Sequence, residues 1–198
     1  MCKIRLIPLI LLVLAIGAGA AVAATAPAEQ AKITVDAIID ALNNGGLDKQ
    51  TQREKIGGLI AERFDFRNMS QRVLAKNWRK ASDGEKERFV ELFSQLLINT
   101  YLGRIKAYTD ERVEFVDEKI RKEKYALVDT LIVTSDKEIP VDYKMILRGD
   151  QWRVYDVVIE EVSLVSSYRS SYLEIVQKEG IEGLLAQMQA KLDQRAAN

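Results

Sequence analysis

The sequence predicts an α+β fold, with N-terminal helices, a twisted antiparallel sheet of about four strands, and C-terminal helices. Three observations predict it. Apolar residues recur at helical spacing as far as about residue 105. The repeat drops to two between about residues 112 and 160, then returns to helical spacing after Val162. Helices, then a meander, then helices give segregated layers rather than alternating βα units.

The first stretch is a leader. Lys3 and Arg5 precede the apolar run Leu6 to Ile16, and Ala21-Val22-Ala23 forms an A-x-A cleavage pattern, the layout of a secretory signal peptide. The run is too short to span a bilayer, which takes about 20 apolar residues. The expected organisation is therefore a leader over residues 1–23 and one α+β domain over 24–198, exported to the periplasm. Residues 24–30 read as a flexible lead-in. Ile33, Ala37, Ile38, Ala41 and Leu42 then mark a helix ended by Asn43-Asn44-Gly45-Gly46. A second helix, about 48–64, carries Ile56, Leu59, Ile60 and Phe64. Its Gly57-Gly58 pair costs about 1 kcal/mol per residue and suggests close packing or a kink.

Asp65 is placed to cap a third helix through Met69, Val73, Leu74 and Trp78. Ser82-Asp83-Gly84-Glu85 is a capping box. The helix behind it repeats Phe89, Phe93, Leu96, Leu97, Tyr101 and Ile105, a stripe that reads first as core, although a pocket wall would carry the same pattern. Strands are expected over 112–119, 124–134, 139–148 and 152–160, with Gly149-Asp150 turning between the last two. The third alternates cleanly: Ile139, Val141, Tyr143, Met145 and Leu147 share a face. The fourth is apolar at Val154 and Val158 as well as at Val157 and Ile159, which implies cover on both faces. Ser163 caps a helix that closes at Gly180, and a last amphipathic helix carries Ile181, Leu184, Leu185, Met188 and Leu192.

Composition removes whole classes of chemistry. The chain has no histidine, and its one cysteine, Cys2, lies in the leader. Ser-His, Cys-His and thiolate-metal sites are excluded, as are internal disulfides. No cofactor motif is present, and no G-x-x-x-x-G-K-[ST] loop. Without the leader, 27 basic residues face 29 acidic ones, and no basic stripe suggests nucleic acid.

Phe64-Asp65-Phe66, Met69-Ser70, Val73-Leu74, Trp78 and the Phe89/Phe93/Tyr101 helix resemble the front half of the MlaC, or toluene-tolerance auxiliary, family. Trp152-Arg153-Val154-Tyr155-Asp156-Val157, Glu160-Glu161-Val162-Ser163-Leu164-Val165, Tyr168-Arg169 and Lys178-Glu179-Gly180-Ile181 resemble its strand-to-helix signature more specifically. One departure is the serine-rich stretch Ser166, Ser167, Ser170 and Ser171. The resemblance implies an NTF2-like or cone-like fold whose helices and sheet enclose an apolar pocket. It also implies a soluble periplasmic phospholipid carrier that maintains outer-membrane lipid asymmetry. Its partners would be an outer-membrane lipoprotein complex and an inner-membrane ABC transporter with an MCE-domain subunit. A monomer is the simplest state for a carrier that docks at both membranes.

Two acyl chains of around 14 methylenes each, at about 0.8 kcal/mol per buried group, represent roughly 22 kcal/mol relative to water. A carrier must therefore enclose them, in a pocket at the large end of about 300–1,000 Å³. The candidate lining is Val141, Tyr143, Met145 and Leu147 from the third strand and Leu131 and Val133 from its neighbour. Phe93, Leu97 and Tyr101 would close it from the long helix, and Tyr168 and Tyr172 from the later one. Arg104 and Arg169 are candidate phosphate contacts, although arginine's usual place on a solvated helix face is the first reading of each. Two other classes compete. In a cone-fold enzyme, Asp129, Asp142 or Asp156 would act as a desolvated base, although no oxyanion partner accompanies any of them. In a periplasmic adaptor, an apolar groove would hold no lipid.

Overall fold

The computed structural model describes residues 25–106 and 112–196; the expected leader lies outside them. Helix α1 (Pro27–Asn43) starts earlier than the apolar pattern suggests. Pro27 sits at its first turn, where proline's fixed φ helps and its missing N–H is no loss. Most of the expected lead-in is thus helix. In α2 (Lys49–Arg63), the Asp48 side chain caps the Gln50 and Thr51 amides. This helix runs through its glycine pair without a break. A Cβ at Gly57 would meet only Ile98, at an ordinary 3.7 Å, so neither close packing nor a kink explains the pair.

Asp65 accepts from the Asn68 amide at 2.9 Å and starts α3 (Phe66–Leu74). The helix stops where Ala75 turns to φ 48°, leaving Trp78 in a 3-10 turn, Ala75–Arg79. Helix α4 (Asp83–Lys106) opens on the expected capping box: Glu85 N–H donates to Ser82 Oγ at 3.2 Å and Ser82 N–H to the Glu85 carboxylate at 2.7 Å.

The strands are β1 (Arg112–Arg121), β2 (Tyr125–Val133), β3 (Glu138–Arg148), β4 (Gln151–Ile159) and the two-residue β5 (Val162–Ser163). They form one antiparallel sheet in chain order, so a short fifth strand joins the four expected. Helix α5 (Leu164–Ala196) contains both C-terminal helices, parted at Gly180, whose φ of 74° and ψ of −176° break the helical path. Among the described residues no helix is long and apolar enough to cross a membrane.

Two hydrophobic cores result. One lies among the helices, around Ile56, Met69, Phe89, Leu92, Phe93 and Leu184. The other lies on the inner face of the sheet, around Val128, Val141, Met145, Trp152, Val154 and Val157. Phe64 touches both.

Both faces of β4 are covered, as its apolar residues on both sides imply, and a bulge adds a second cause for its mixed polarity. Pairing with β3 shifts between Lys144↔Asp156 and Met145↔Val154, leaving Tyr155 as an extra residue. Such a bulge reverses the in/out parity of the strand. Trp152 and Val154 point inward before it, and Val157 points inward after it. Asp156 is thereby turned to the outer face, where it is 5% exposed. It accepts from Ser163 Oγ at 2.7 Å, the Val165 amide at 3.1 Å and Lys144 Nζ at 3.2 Å. It fastens β4 to the first turn of α5.

The outer face also carries Asp117, Asp129 and Asp142 at successive paired positions of β1, β2 and β3. Lys119 reaches Asp117 at 2.8 Å and Asp129 at 3.4 Å. Burial first, and the Asp129 charge opposite second, push the Asp142 pKa up, against the pull of Lys144 and Lys119.

Replacing Asp156 by Ala removes three hydrogen bonds from a buried carboxylate site and should cost about 3 kcal/mol in urea unfolding. Asp142 behaves in the opposite sense. Its folded pKa lies above the unfolded one, so ionisation opposes folding above the folded pKa and ceases to matter below the unfolded pKa. Asp142→Asn should raise the melting temperature at pH 7, by on the order of 1 °C given solvent screening. That gain should vanish near pH 3.

Candidate functional site

The two cores do not close on each other. Between them lies a cavity of about 220 Å³, partly open to solvent. Its helical wall comes from Ile38 of α1, Ile60 of α2, Phe64, Phe66, Met69 of α3, and Leu97, Ile98 and Tyr101 of α4. Its sheet wall comes from Ile132, Ile139, Val141, Tyr143, Val154, Val157 and Ile159, with Leu164 at one side. A second recess between α1 and β1, near Glu29, Lys32, Asp36 and Glu118, is larger but more open to solvent, with polar and apolar groups mixed in its lining. Only the first has the near-continuous apolar lining that shelters hydrocarbon.

Four of the expected lining residues meet here: Leu97, Tyr101, Val141 and Tyr143. Tyr143 is half-buried in the cavity wall, and burial pushes its pKa up to about 12. The others stand elsewhere, for identifiable reasons. Leu131 and Val133 are on the outer face, because the inward residues of β2 are Ala126, Val128, Thr130 and Ile132. Thr130 makes this phase possible by donating Oγ1–H to the Val141 carbonyl at 2.6 Å, which satisfies a buried hydroxyl. Met145 is fully buried in the sheet core, and Leu147 packs against that core beyond the cavity. Phe93 stacks on Phe89 at 5.6 Å and meets the edges of Tyr168 at 5.3 Å and Tyr172 at 6.3 Å. These four aromatic residues join α4 to α5 within the helix core. Burial, with Tyr168 adding to it, raises the Tyr172 pKa.

Several wall residues escaped the sequence reading. Ile38 and Ile60 looked like ordinary core positions. Phe64 and Phe66 lay in plain view in the Phe-Asp-Phe segment, which lies against β4: the Asp65 amide donates to the Val154 carbonyl at 2.8 Å. This places both rings, stacked at 5.6 Å, at the edge of the cavity. Arg63 had no sequence signal at all. It is the one charged residue in the wall among the described residues. Its Nε donates to Thr34 Oγ1 at 2.8 Å, and its Nη1 to Gln30 Oε1 at 2.9 Å and the Trp152 carbonyl at 2.8 Å. Burial pulls its pKa below the usual arginine value, although a guanidinium stays charged.

Of the two candidate phosphate contacts, the described residues place the side chain of one. Arg169 donates to the Arg72 carbonyl at 2.8 Å and closes the end of α3. The side chain of Arg104 lies outside the described residues. Asp129, Asp142 and Asp156, the bases considered for an enzyme, are all on the outer face of the sheet. The four serines of α5 lie on an exposed turn, where Ser167, Ser170 and Ser171 donate to their own helix carbonyls. No metal-ligating cluster occurs among the described residues.

The fold is shared with a phospholipid-binding protein from Ralstonia solanacearum, solved in complex with a phospholipid. The two superpose with a TM-score of 0.79 at 20% identity, over 87% of this chain and 99% of that one. The intermembrane phospholipid transport system binding protein MlaC of Haemophilus influenzae is 22% identical over 128 residues, 62% of this chain and 60% of that protein. The toluene tolerance protein ttg2D of Pseudomonas putida is 23% identical over 157 residues, 78% of this chain and 66% of that protein. The aligned stretches thus span about two thirds or less of these relatives. Together with the site, they indicate a binding protein rather than an enzyme. Residues 32–190 match the MlaC protein family along most of the domain, and the chain belongs to that family.

Proposed function

We propose that this chain carries a phospholipid, holding acyl chain in the cavity between its two cores and leaving the headgroup in water. The observation that carries the reading is the cavity itself. An apolar space left unfilled by the protein's own side chains sits where sheet and helices face each other. An apolar pocket gains almost nothing over a bilayer, since both are oily, so the same pocket can accept and release lipid.

The wider setting follows from family membership and the leader. The chain is exported to the periplasm through residues 1–23 and acts there as one domain. It takes lipid between an outer-membrane lipoprotein complex and an inner-membrane ABC transporter with an MCE-domain subunit, and so maintains outer-membrane lipid asymmetry. Direction comes from ATP hydrolysed by the partner.

Native mass spectrometry of gently purified protein should show a monomer with bound phospholipid. An empty monomer would favour the adaptor, and a small polar ligand the enzyme. Val141→Glu, with its charge at the cavity wall, should lose the lipid and keep a native circular dichroism spectrum. Ile38→Trp fills the same space without a charge and should also reduce bound lipid. Met145→Glu buries a charge in the sheet core and should unfold the protein instead. Full lipid occupancy in both wall variants would overturn the reading.

A further inference from the structure

The cavity is small for the cargo proposed above. A buried apolar cavity of about 150 Å³ takes a benzene, roughly 25 Å³ per carbon. On that scale the 220 Å³ here takes about nine carbons, less than one long acyl chain. One wall must give way.

The walls are not equally free to do so. Sheet strands β1 to β4 are joined by continuous ladders. Helices α3, α4 and α5 share the fully packed helix core. Helix α1 differs, because it crosses the cavity as a strap. Its middle residues Ala31, Thr34, Val35 and Ile38 face the cavity. Its C-terminal end is fixed to the helix core by buried Ala41 and by Gln52, whose Nε2 donates to the Ala41 and Leu42 carbonyls at 3.2 and 3.1 Å. Its N-terminal half is held by polar bonds together with only small apolar side chains, buried Pro27 and the Ala28 and Ala31 that pack on the sheet core. Gln30 accepts from the Trp152 amide at 2.9 Å and donates to the Asp150 carbonyl at 3.1 Å. The Ala28 amide donates to Glu118 Oε2 at 2.9 Å. Arg63 ties Gln30 and Thr34 to the Trp152 carbonyl.

We propose that Arg63 is a positioning residue that latches the N-terminal half of α1 across the cavity, and that α1 is the wall displaced when cargo enters. Hydrogen bonds suit this task. They can be exchanged for bonds to water when the strap lifts, whereas a hydrocarbon seal would resist opening. The pivot is the loop from Asn44 to Asp48, between α1 and α2. The identity of the cargo rests on the phospholipid reading; the latch does not.

Hydrogen exchange on the full chain tests the latch without lipid. In Arg63→Met, which keeps the apolar stem, α1 amides and the Trp152 amide bonded to Gln30 should exchange about tenfold faster, with α3 to α5, β2, β3 and the rest of β4 unchanged. Arg63→Lys should fall between Arg63→Met and the unsubstituted protein. With protein loaded with a phospholipid bearing a fluorescent acyl chain, release to phosphatidylcholine vesicles should speed up about tenfold in Arg63→Met. Unchanged α1 exchange, or an equal rise over the whole chain, overturns the latch. Should Arg63→Met fail to fold, Thr34→Val removes one acceptor at constant size. It must then show the same regional pattern at smaller amplitude, and its absence overturns the latch as well. Regional loosening of α1 in a protein that never holds phospholipid would leave the latch standing and remove the carrier reading.

Discussion

Among the places where helix core and sheet core meet is Phe64, which reaches both, along a line where the Asp65 amide is bonded to the Val154 carbonyl. A second fastening, Asp156 on the Val165 amide, joins the far side of the same strand to α5. Both are directional bonds to fixed backbone groups, so they set a spacing between the layers as well as an attachment. Away from that line the two apolar surfaces face each other across a gap. Enclosed apolar voids cost about 24 cal/mol per Å³, so 220 Å³ that is partly open to solvent represents at most about 5 kcal/mol. That is comparable with the net stability of many domains. Hydrocarbon from outside relieves it, which makes the empty cavity a standing preference for apolar ligand.

The bulge at Tyr155 decides what that ligand meets. Without it, β4 would keep one parity throughout, and Val157 and Ile159 would point away from the cavity that Val154 faces. With it, both halves of the strand supply apolar side chains to the inner face, and Asp156 is turned outward to serve α5. One extra residue therefore builds the sheet wall and anchors the C-terminal helix together. The outer-face carboxylates are kept out of the cavity by the same alternation, leaving Arg63 as the charge in the wall.

Legibility followed the range of the interaction. The Asp65 and Ser82 caps and the Gly180 break rest on neighbours a few residues apart, and local pattern displays them. The apolar face of β3 was also plain, since its alternation is unbroken. β2 was not: Leu131 and Val133 are as apolar as Val128 and Ile132, and Thr130 looks polar until its hydroxyl is seen bonded to Val141 across the strand. Likewise Phe93 and Leu97 lie one helical turn apart on one stripe, yet the first packs on α5 and the second lines the cavity. Arg63 gave no signal because its partners, Gln30, Thr34 and Trp152, lie up to 89 positions away.

What the chain's own order of residues determined was the α+β layering, most helix starts, the exclusion of histidine and thiol chemistry, and the family resemblance. Each of these depends on composition or on spacings within a few turns or strands. Tertiary structure alone decided which apolar residues stay unpaired with other apolar residues and so become a cavity. A void is defined by atoms from distant segments that fail to meet, and no local pattern records a meeting that does not occur.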